Sequence, residues 1–145
     1  MLTKRLTGLL NDLIYHVITL DNDFAENYGL TGSEYKMVRY LGKNIGASMK
    51  QIAQFLDVSM PRATYIADSL KSKKLIVRKN GEDRRKVLLQ LSQKGVDIEQ
   101  DSQDKYHNIS EKLLSPLSDA EKEQLLHLLE QSSNELFGIV KLAAK

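Results

Sequence analysis

The spacing of apolar residues changes twice along the chain, and this limits the fold more than any other feature of the sequence. Up to about residue 74, apolar side chains recur every three or four positions, as at Leu6, Leu10 and Leu13, which is the period of amphipathic helices. Between residues 75 and 91 they alternate, around an Asn80-Gly81 pair that favours a turn. The helical period then returns. The pattern predicts a mainly α-helical protein with one β-hairpin.

Capping sequences mark where the predicted helices begin. Three times a Ser or Thr is followed three residues later by Glu or Gln, so that each residue satisfies a free backbone amide of the other. These pairs are Thr31 with Glu34, Ser48 with Gln51, and Ser118 with Glu121. Ser59 and Ser92 are predicted to cap two further helices. The predicted order is four helices, the hairpin and two more helices.

The composition excludes several classes of protein. The 145 residues include no cysteine, which excludes disulfides, thiolate zinc sites, iron–sulfur clusters and cysteine redox sensors. No apolar run reaches the roughly 18 residues of a membrane-spanning helix, and the N-terminus lacks a signal-peptide pattern, so we expect a cytoplasmic protein without membrane contact. The three histidines lie far apart, and no nucleophile or phosphate-loop motif occurs. We therefore expect no enzyme, no metal and no other cofactor.

The net charge of +2 conceals a strong asymmetry. Residues 32–95 carry fourteen basic and five acidic residues, a net charge of +9. Residues 1–31 have a net charge of −2, and residues 96–145 have −5. A basic centre between acidic ends indicates a polyanionic partner for the centre. Random scatter of surface charge is the alternative interpretation.

Two short helices, joined at Asp57-Val58 and followed by a hairpin, make up a winged helix-turn-helix, whose second helix enters the major groove of DNA. That helix begins at Ser59, and Ala63, Ile66, Ala67 and Leu70 form its predicted buried face. The Arg62 guanidinium matches the O6 and N7 acceptors of guanine, although contact with phosphate alone is equally open. The predicted DNA-binding residues of this helix are Ser59, Pro61, Arg62, Thr64, Tyr65 and Ser69.

The predicted hairpin tip, residues 79–86, is basic at four of eight positions. A thin ribbon carrying Arg84 and Arg85 suits the narrow minor groove, whose negative potential attracts guanidinium groups. Asp83 is acidic on this surface, and we expect it to hold the tip in place by pairing with Arg85 or capping the turn. The alternative is that both arginines are only solvated.

Residues 52–95 resemble the MarR (multiple-antibiotic-resistance regulator) family. The stretch from Asp83 to Gly95 is similar to the family's D-x-R wing and the L-[TS]-x-x-G start of its next helix. The resemblance implies that Arg85 is the minor-groove arginine and Asp83 its orienting partner. Two positions depart from the family: Tyr65 stands where Arg is common, and Lys74 where Gly is usual. A positive φ at Lys74 would cost about 1 kcal/mol.

The resemblance also implies a homodimer in which the terminal helices of two chains interlock. Residues 1–31 and 96–145 are thus the predicted helical dimerisation region, and residues 32–95 the winged helix-turn-helix domain. The terminal helices independently carry more apolar residues than one small domain can cover, which is typical of an interface. The alternative is that the two helices cover each other within one chain.

Family members often bind small aromatic anions between the dimer helices and the winged domain. Tyr15, His16, Tyr35 and Arg39 could line such a space here, although ordinary packing also accounts for them. The effector and its residues are not defined by the sequence. The overall prediction is a homodimeric regulator, a repressor, that binds an inverted repeat in double-stranded DNA. The alternative is a winged-helix protein-interaction module that does not bind DNA specifically.

Overall fold

The computed structural model describes residues 1–82 and 87–143. Within these ranges the chain forms six helices and three strands. Their bounds are α1 (Leu2–Asn27), α2 (Gly32–Lys43), β1 (Ala47–Ser48), α3 (Met49–Leu56), α4 (Met60–Ser72), β2 (Ile76–Asn80), β3 (Val87–Leu91), α5 (Gln93–Leu114) and α6 (Asp119–Ala143). The predicted fold class, mainly helical with a β-hairpin wing, is confirmed.

The capping predictions are confirmed by side-chain hydrogen bonds. At the start of α2, the Thr31 oxygen accepts from the Glu34 amide, and the Glu34 carboxylate accepts from the Thr31 amide. Reciprocal pairs of the same kind begin α3 and α6. Ser92 Oγ accepts from the Gly95 amide at 3.1 Å and starts α5. Each cap joins residues three positions apart, so local sequence suffices to place it.

The sheet contains one strand more than the sequence pattern predicts. β3 lies in the middle, with β1 and β2 antiparallel on either side, and Leu89 pairs with both Ala47 and Arg78. β1 has only two residues, too short for an alternating pattern to be visible. Asn80 pairs with Val87, so the connection spans residues 81–86 and is longer than a two-residue hairpin turn.

The core is built around α2. Its predicted inward residues Tyr35, Met37, Val38 and Leu41 are all buried, and so is the predicted face of α4. One prediction is wrong at the edge of this core. The helical spacing of α3 predicts that Phe55 faces inward, but it is 52% exposed and its ring stacks on that of Tyr40. The alternation in β3 predicts Val87, Leu89 and Leu91 on one face; Leu89 is buried, whereas Val87, the first residue of the strand, is exposed.

The first half of α5 packs through small and polar residues, which its sparse apolar pattern does not reveal. Gly95, Glu99 and Ser102 are its buried residues. The Ser102 hydroxyl is hydrogen-bonded to the Tyr35 hydroxyl, and the Glu99 side chain lies over Gly42, where a Cβ atom would meet its Cγ at 2.6 Å. These contacts fix the start of α5 against α2.

The chain divides into two compact units, Met1–Gln103 and a second unit beginning at Asp104. The first contains the winged helix-turn-helix together with α1 and the start of α5. The second contains the end of α5 and α6. The functional division into residues 32–95 and two flanking segments stays a prediction.

Both terminal helices expose apolar side chains. In α1 they form the predicted stripe and are 49–59% exposed: Leu6, Leu9, Leu10, Leu13, Ile14, Val17 and Ile18. In α6 another set is 51–61% exposed: Leu126, Leu128, Leu129, Leu136 and Ile139. Exposed apolar surface of this extent is typical of an interface.

Candidate nucleic-acid interface

The turn between α3 and α4 presents the start of α4 to solvent. Asp57 ends α3 in the left-handed conformation, with φ of 53° and ψ of 50°, which Asp tolerates better than most residues. The Val58 amide donates to the Ala53 carbonyl at 3.1 Å and closes the turn. Ser59 Oγ then accepts from the Arg62 amide at 3.3 Å, and Pro61 lies in the first turn of α4. The predicted cap at Ser59 is confirmed.

Arg62, Thr64 and Tyr65 lie on the exposed side of α4. The Arg62 guanidinium carbon is 5.3 Å from the centroid of the Tyr65 ring, a cation–π distance, and Tyr65 is 67% exposed. Thr64 Oγ1 donates to the Met60 carbonyl at 2.9 Å. The first two turns of α4 thus expose the Arg62 guanidinium in cation–π contact with the Tyr65 ring. The Thr64 hydroxyl beside them is hydrogen-bonded to the helix backbone.

The sixth predicted residue of α4, Ser69, makes a different contact. Its Oγ donates to Glu34 Oε1 at 2.5 Å, and the side chain is half-buried. The helical pattern placed Ser69 on the outer face, but a carboxylate contributed by α2 holds it inward. In the structure Ser69 therefore connects α4 to α2.

Glu34 is the centre of this connection, and it is only 3% exposed. In addition to the hydrogen bond from Ser69, Glu34 Oε2 accepts hydrogen bonds from Lys73 Nζ at 2.8 Å and from the Thr31 amide at 2.7 Å. Burial alone would raise the pKa of Glu34, but the hydrogen bonds from Lys73, Ser69 and Thr31 outweigh it and hold that pKa below its ordinary value. The carboxylate therefore stays ionised at neutral pH and connects the C-terminal half of α4 to α2.

An ion pair connects the first wing strand to α4. Arg78 Nη2 on β2 lies 3.2 Å from Asp68 Oδ1 on α4, and both side chains are about half exposed. Its contribution to stability is therefore small, although it orients the strand beside the helix. The predicted wing residues Asp83, Arg84 and Arg85 lie outside the described residues.

Exposed lysines surround α4 and the base of the wing. Lys50, Lys71, Lys74 and Lys79 are all exposed. Exposed basic side chains of this kind are typical of a surface that meets phosphate.

The same arrangement occurs in known proteins. A family model described as MarR family matches residues 28–86. Over 108 residues the chain is 29% identical to the uncharacterized HTH-type transcriptional regulator YwoH of Bacillus subtilis (strain 168), covering 74% of this chain and 78% of that protein. The chain belongs to the MarR family. It is a transcriptional regulator of this family, and the expectation of a regulator rather than an enzyme is confirmed by its relatives.

Solved structures of MarR proteins share the fold. A MarR family protein from Bacillus stearothermophilus superimposes with a TM-score of 0.84 at 18% identity, covering 93% of this chain and 95% of that one. MepR of S. aureus, in a structure of the MepR–DNA complex, gives a TM-score of 0.68 at 20% identity and covers 90% and 95%. These similarities confirm the winged-helix fold.

One departure from the MarR pattern has a structural consequence. Lys74, where the family usually has Gly, adopts a φ of 63°. Two hydrogen bonds hold this conformation: the Lys74 amide donates to Lys71 O, and the Lys74 carbonyl accepts from Ser92 Oγ at 2.7 Å. Lys74 thus meets the condition under which the sequence predicts a cost of about 1 kcal/mol, and that cost stays a prediction.

The four residues named for an effector space are divided between two environments. Tyr35 is fully buried, and the Arg39 guanidinium lies 5.9 Å from its ring centroid while pairing with Asp21 at 3.4 Å. Tyr15 and His16 contact each other edge to face on α1, with centroids 5.6 Å apart. An effector role for these residues stays a prediction.

Sequence reasoning identified Glu34 only as a helix cap and did not find its contacts with α4. The local sequence carries no signal for these contacts, because Ser69 and Lys73 lie 35 and 39 residues from Glu34. No group of three or more metal-ligating residues occurs within the described ranges. In the same part of the chain, every helix is too short or too polar to cross a membrane.

Proposed function

We propose that this MarR-family protein is a homodimeric transcriptional repressor that binds an inverted-repeat operator in double-stranded DNA. The observation that carries the proposal is the exposed Arg62–Tyr65 pair on α4. This helix is capped by Ser59 at its N-terminus and connected to α2 through Glu34 near its C-terminus. Only a helix held rigidly on its scaffold can present a guanidinium to base edges with a fixed register. MepR of S. aureus, which shares the fold, has been solved as a complex with DNA.

Arg62 is the proposed guanine-reading residue, because its forked donors match O6 and N7 in the major groove. Tyr65 supports the guanidinium from below, and its exposed edge is available to a thymine methyl or a sugar. Ser59, Pro61 and Thr64 surround this pair at the start of α4 and are the proposed phosphate and base-edge contacts. Ser69 is assigned instead to the connection with Glu34.

The wing residues Arg84 and Arg85 are proposed to enter the minor groove, with Asp83 orienting Arg85. This part of the proposal depends on the MarR resemblance and on the basic composition of residues 79–86. Arg78 and Lys79, which are exposed on β2, support it by extending the positive surface toward the wing.

The homodimer is proposed from the exposed apolar side chains of α1 and, separately, of α6. Burial of such side chains against a second copy is favourable by about 25 cal/mol for each Å² removed from water. A two-fold dimer then binds two half-sites about one helical turn, or roughly 34–36 Å, apart. The cytoplasm is the proposed location, because the proposed partner is chromosomal DNA.

A small aromatic effector is the proposed signal. It lowers operator affinity only if it binds more tightly to the dimer whose α4 helices are wrongly spaced for DNA. Because the chain has no cysteine, control by a ligand is proposed in place of thiol oxidation.

The test is a fluorescence-anisotropy titration of the full chain against the upstream region of its own operon, at about 50 and 200 mM salt. We expect a specific complex that weakens by orders of magnitude at the higher salt, because counterions are released from each contacted phosphate. Arg85→Ala is expected to weaken the complex strongly, while Arg5→Ala, which removes an exposed charge from α1, leaves it unchanged.

Two outcomes would contradict the proposal in different ways. Unchanged binding in Arg85→Ala would remove the wing assignment but leave the rest in place. Failure to form a specific complex even at low salt would favour the protein-interaction module. Repression itself is read from transcription of the same operon with and without the protein.

A further inference from the structure

We propose that Tyr28 and Lys73 are positioning residues for operator binding, which hold α4 through the α1–α2 junction, residues 28–31. Tyr28 joins this junction to α5, and Lys73 joins it to the end of α4. Both contacts lie within the first compact unit. The role in operator binding rests on the proposed function, whereas the effect on the orientation of α4 does not.

The α1–α2 junction is a tightly hydrogen-bonded turn. Gly29 has a φ of 67°, and its amide donates to the Glu26 carbonyl at 2.9 Å. The Leu30 amide donates to the Ala25 carbonyl at 2.8 Å, which completes a Schellman motif at the end of α1. Leu30 is buried, and Thr31 caps α2. The junction is therefore fixed to the ends of both helices.

The end of α4 is attached to this junction by Lys73. Its Nζ donates to the Gly29 carbonyl oxygen at 3.0 Å and to Glu34 Oε2 at 2.8 Å. One ammonium group thus holds a backbone atom of the junction and the carboxylate that caps α2. Ser69, one turn earlier on α4, donates to the other oxygen of Glu34. A displacement of the junction therefore displaces the C-terminal end of α4.

The junction is attached to α5 by Tyr28. The Tyr28 hydroxyl donates to Asp101 Oδ2 on α5. The Tyr28 ring also stacks on the Tyr35 ring, with centroids 6.2 Å apart, and the Tyr35 hydroxyl is hydrogen-bonded to Ser102, the next residue of α5. The Tyr35 contact is buried, whereas the Tyr28 contact lies at the surface. The Tyr28 hydroxyl can therefore be removed without opening the core.

The start of α5 holds the end of α4 at a second point. Ser92 Oγ donates to the Lys74 carbonyl at 2.7 Å, directly after α4. Ser92 and Asp101 are nine residues apart, or about 14 Å along the helix, so the direction of α4 depends on two separated attachments. Because α4 also packs into the core, loss of one attachment produces only a small displacement. A base-reading side chain nevertheless has to stay within about 0.5 Å of its productive position.

The first measurement is the operator affinity of Tyr28→Phe, in the anisotropy titration described above. This substitution keeps the ring and its stacking and removes only the hydroxyl that donates to Asp101. We expect the operator affinity to fall about 3- to 30-fold. Tyr15→Phe removes an exposed hydroxyl from α1 and should leave the affinity unchanged. Asp101→Asn weakens the same hydrogen bond from the α5 side and replaces Tyr28→Phe if that variant fails to fold.

A double-mutant cycle tests whether Tyr28 acts through Lys73. In the Lys73→Met background, where the ammonium no longer joins the junction to α4, we expect Tyr28→Phe to lower the operator affinity less than about twofold. The charge of Lys73 is absent from both proteins of this second pair, so its attraction to phosphate cancels in the comparison. A contact that only stabilises the fold would lower the affinity equally in both backgrounds, or not at all.

The orientation of α4 is measured without DNA, from residual dipolar couplings of backbone amides in α4 and α3. We expect the orientation to change in Tyr28→Phe and not in Tyr15→Phe. Unchanged operator affinity, an equal loss in both backgrounds, or an unchanged orientation would each overturn the inference. If the unsubstituted protein forms no specific complex, the proposed function fails, and the couplings alone decide whether Tyr28 positions α4. Circular dichroism of each variant separates these effects from loss of fold.

Discussion

Lys73 Nζ donates to Glu34 Oε2 at 2.8 Å, across 39 residues of sequence, and joins the end of α4 to the beginning of α2. Glu34 thereby serves two helices, since the same oxygen accepts from the Thr31 amide and caps α2. The proposed reading helix is held at its N-terminus by Ser59 and near its C-terminus by this buried carboxylate. The buried face of α4 packs into the core, and the ionised Glu34 adds a polar connection near the C-terminus of the helix.

Glu34→Gln is expected to lower the free energy of unfolding by about 1–3 kcal/mol at pH 7, because charge-assisted hydrogen bonds are lost. Since the pKa of Glu34 is held below its ordinary value, its stabilisation is complete above about pH 5 and is lost as the pH falls through the lower folded pKa. Urea unfolding at pH 7 and pH 3.5 should show the difference from the unsubstituted protein shrinking in acid. A constant difference would contradict this, and exposed Glu26→Gln is the control.

Gly95→Ala is expected to destabilise the protein by about 3 kcal/mol. A Cβ at this position would lie 2.2 Å from the Leu75 carbonyl oxygen, a backbone atom that moves only if the start of β2 moves. The neighbouring exposed Lys94→Ala should change stability by no more than about 0.5 kcal/mol. Thermal unfolding measures the stability of both variants. If Gly95→Ala unfolds at the same midpoint as Lys94→Ala, α5 and β2 can move apart to accommodate the Cβ at little cost, which would contradict the prediction.

Lys74→Gly is expected to stabilise the protein by about 1 kcal/mol, because glycine adopts a φ of 63° without a Cβ clash. Lys71→Gly removes the same charge from the last turn of α4 and should instead destabilise by up to about 1 kcal/mol. Denaturant unfolding of the two variants should therefore give shifts of opposite sign. Shifts of the same sign would mean that charge, not backbone conformation, dominates at residue 74.

Leu13→Asp is expected to convert the proposed dimer into monomers. The substitution puts a charge in the centre of the exposed apolar stripe of α1, where a second copy would bury it. Ile45→Asp is the matched control, because Ile45 is 91% exposed outside the terminal helices. Sedimentation velocity gives the oligomeric state, and a Leu13→Asp protein that remains dimeric would exclude α1 from the interface.

Arg62→Lys keeps the charge and removes the fork of donors. We expect the operator affinity to fall about 5- to 150-fold, corresponding to roughly 1–3 kcal/mol for a bidentate base contact, while affinity for unrelated DNA is retained. Arg5→Lys on α1 serves as the control in the same anisotropy titration. A parallel loss on operator and unrelated DNA would assign Arg62 to phosphate.

The elements that the sequence predicted correctly are those encoded within a few residues. The four buried residues of α4, at positions 63, 66, 67 and 70, recur with the helical period, and the caps join residues three apart, so the information is complete within one or two turns. Phe55 shows the limit of this reasoning. Helical spacing predicts that Phe55 faces inward. In the structure its ring stacks on Tyr40, and about half of the residue remains exposed to solvent.

The sequence by itself determined the order of helices and hairpin, the caps, the basic centre and the exposed start of α4. Only the tertiary structure decided that Ala47–Ser48 forms a strand, that Ser69 turns to Glu34 and that Tyr28 is hydrogen-bonded to Asp101. The reason is physical. Each of these features joins groups that are far apart in the sequence and are brought together by packing. Apolar periodicity and local propensity are properties of a short segment, so they carry no information about which distant side chain packs against it.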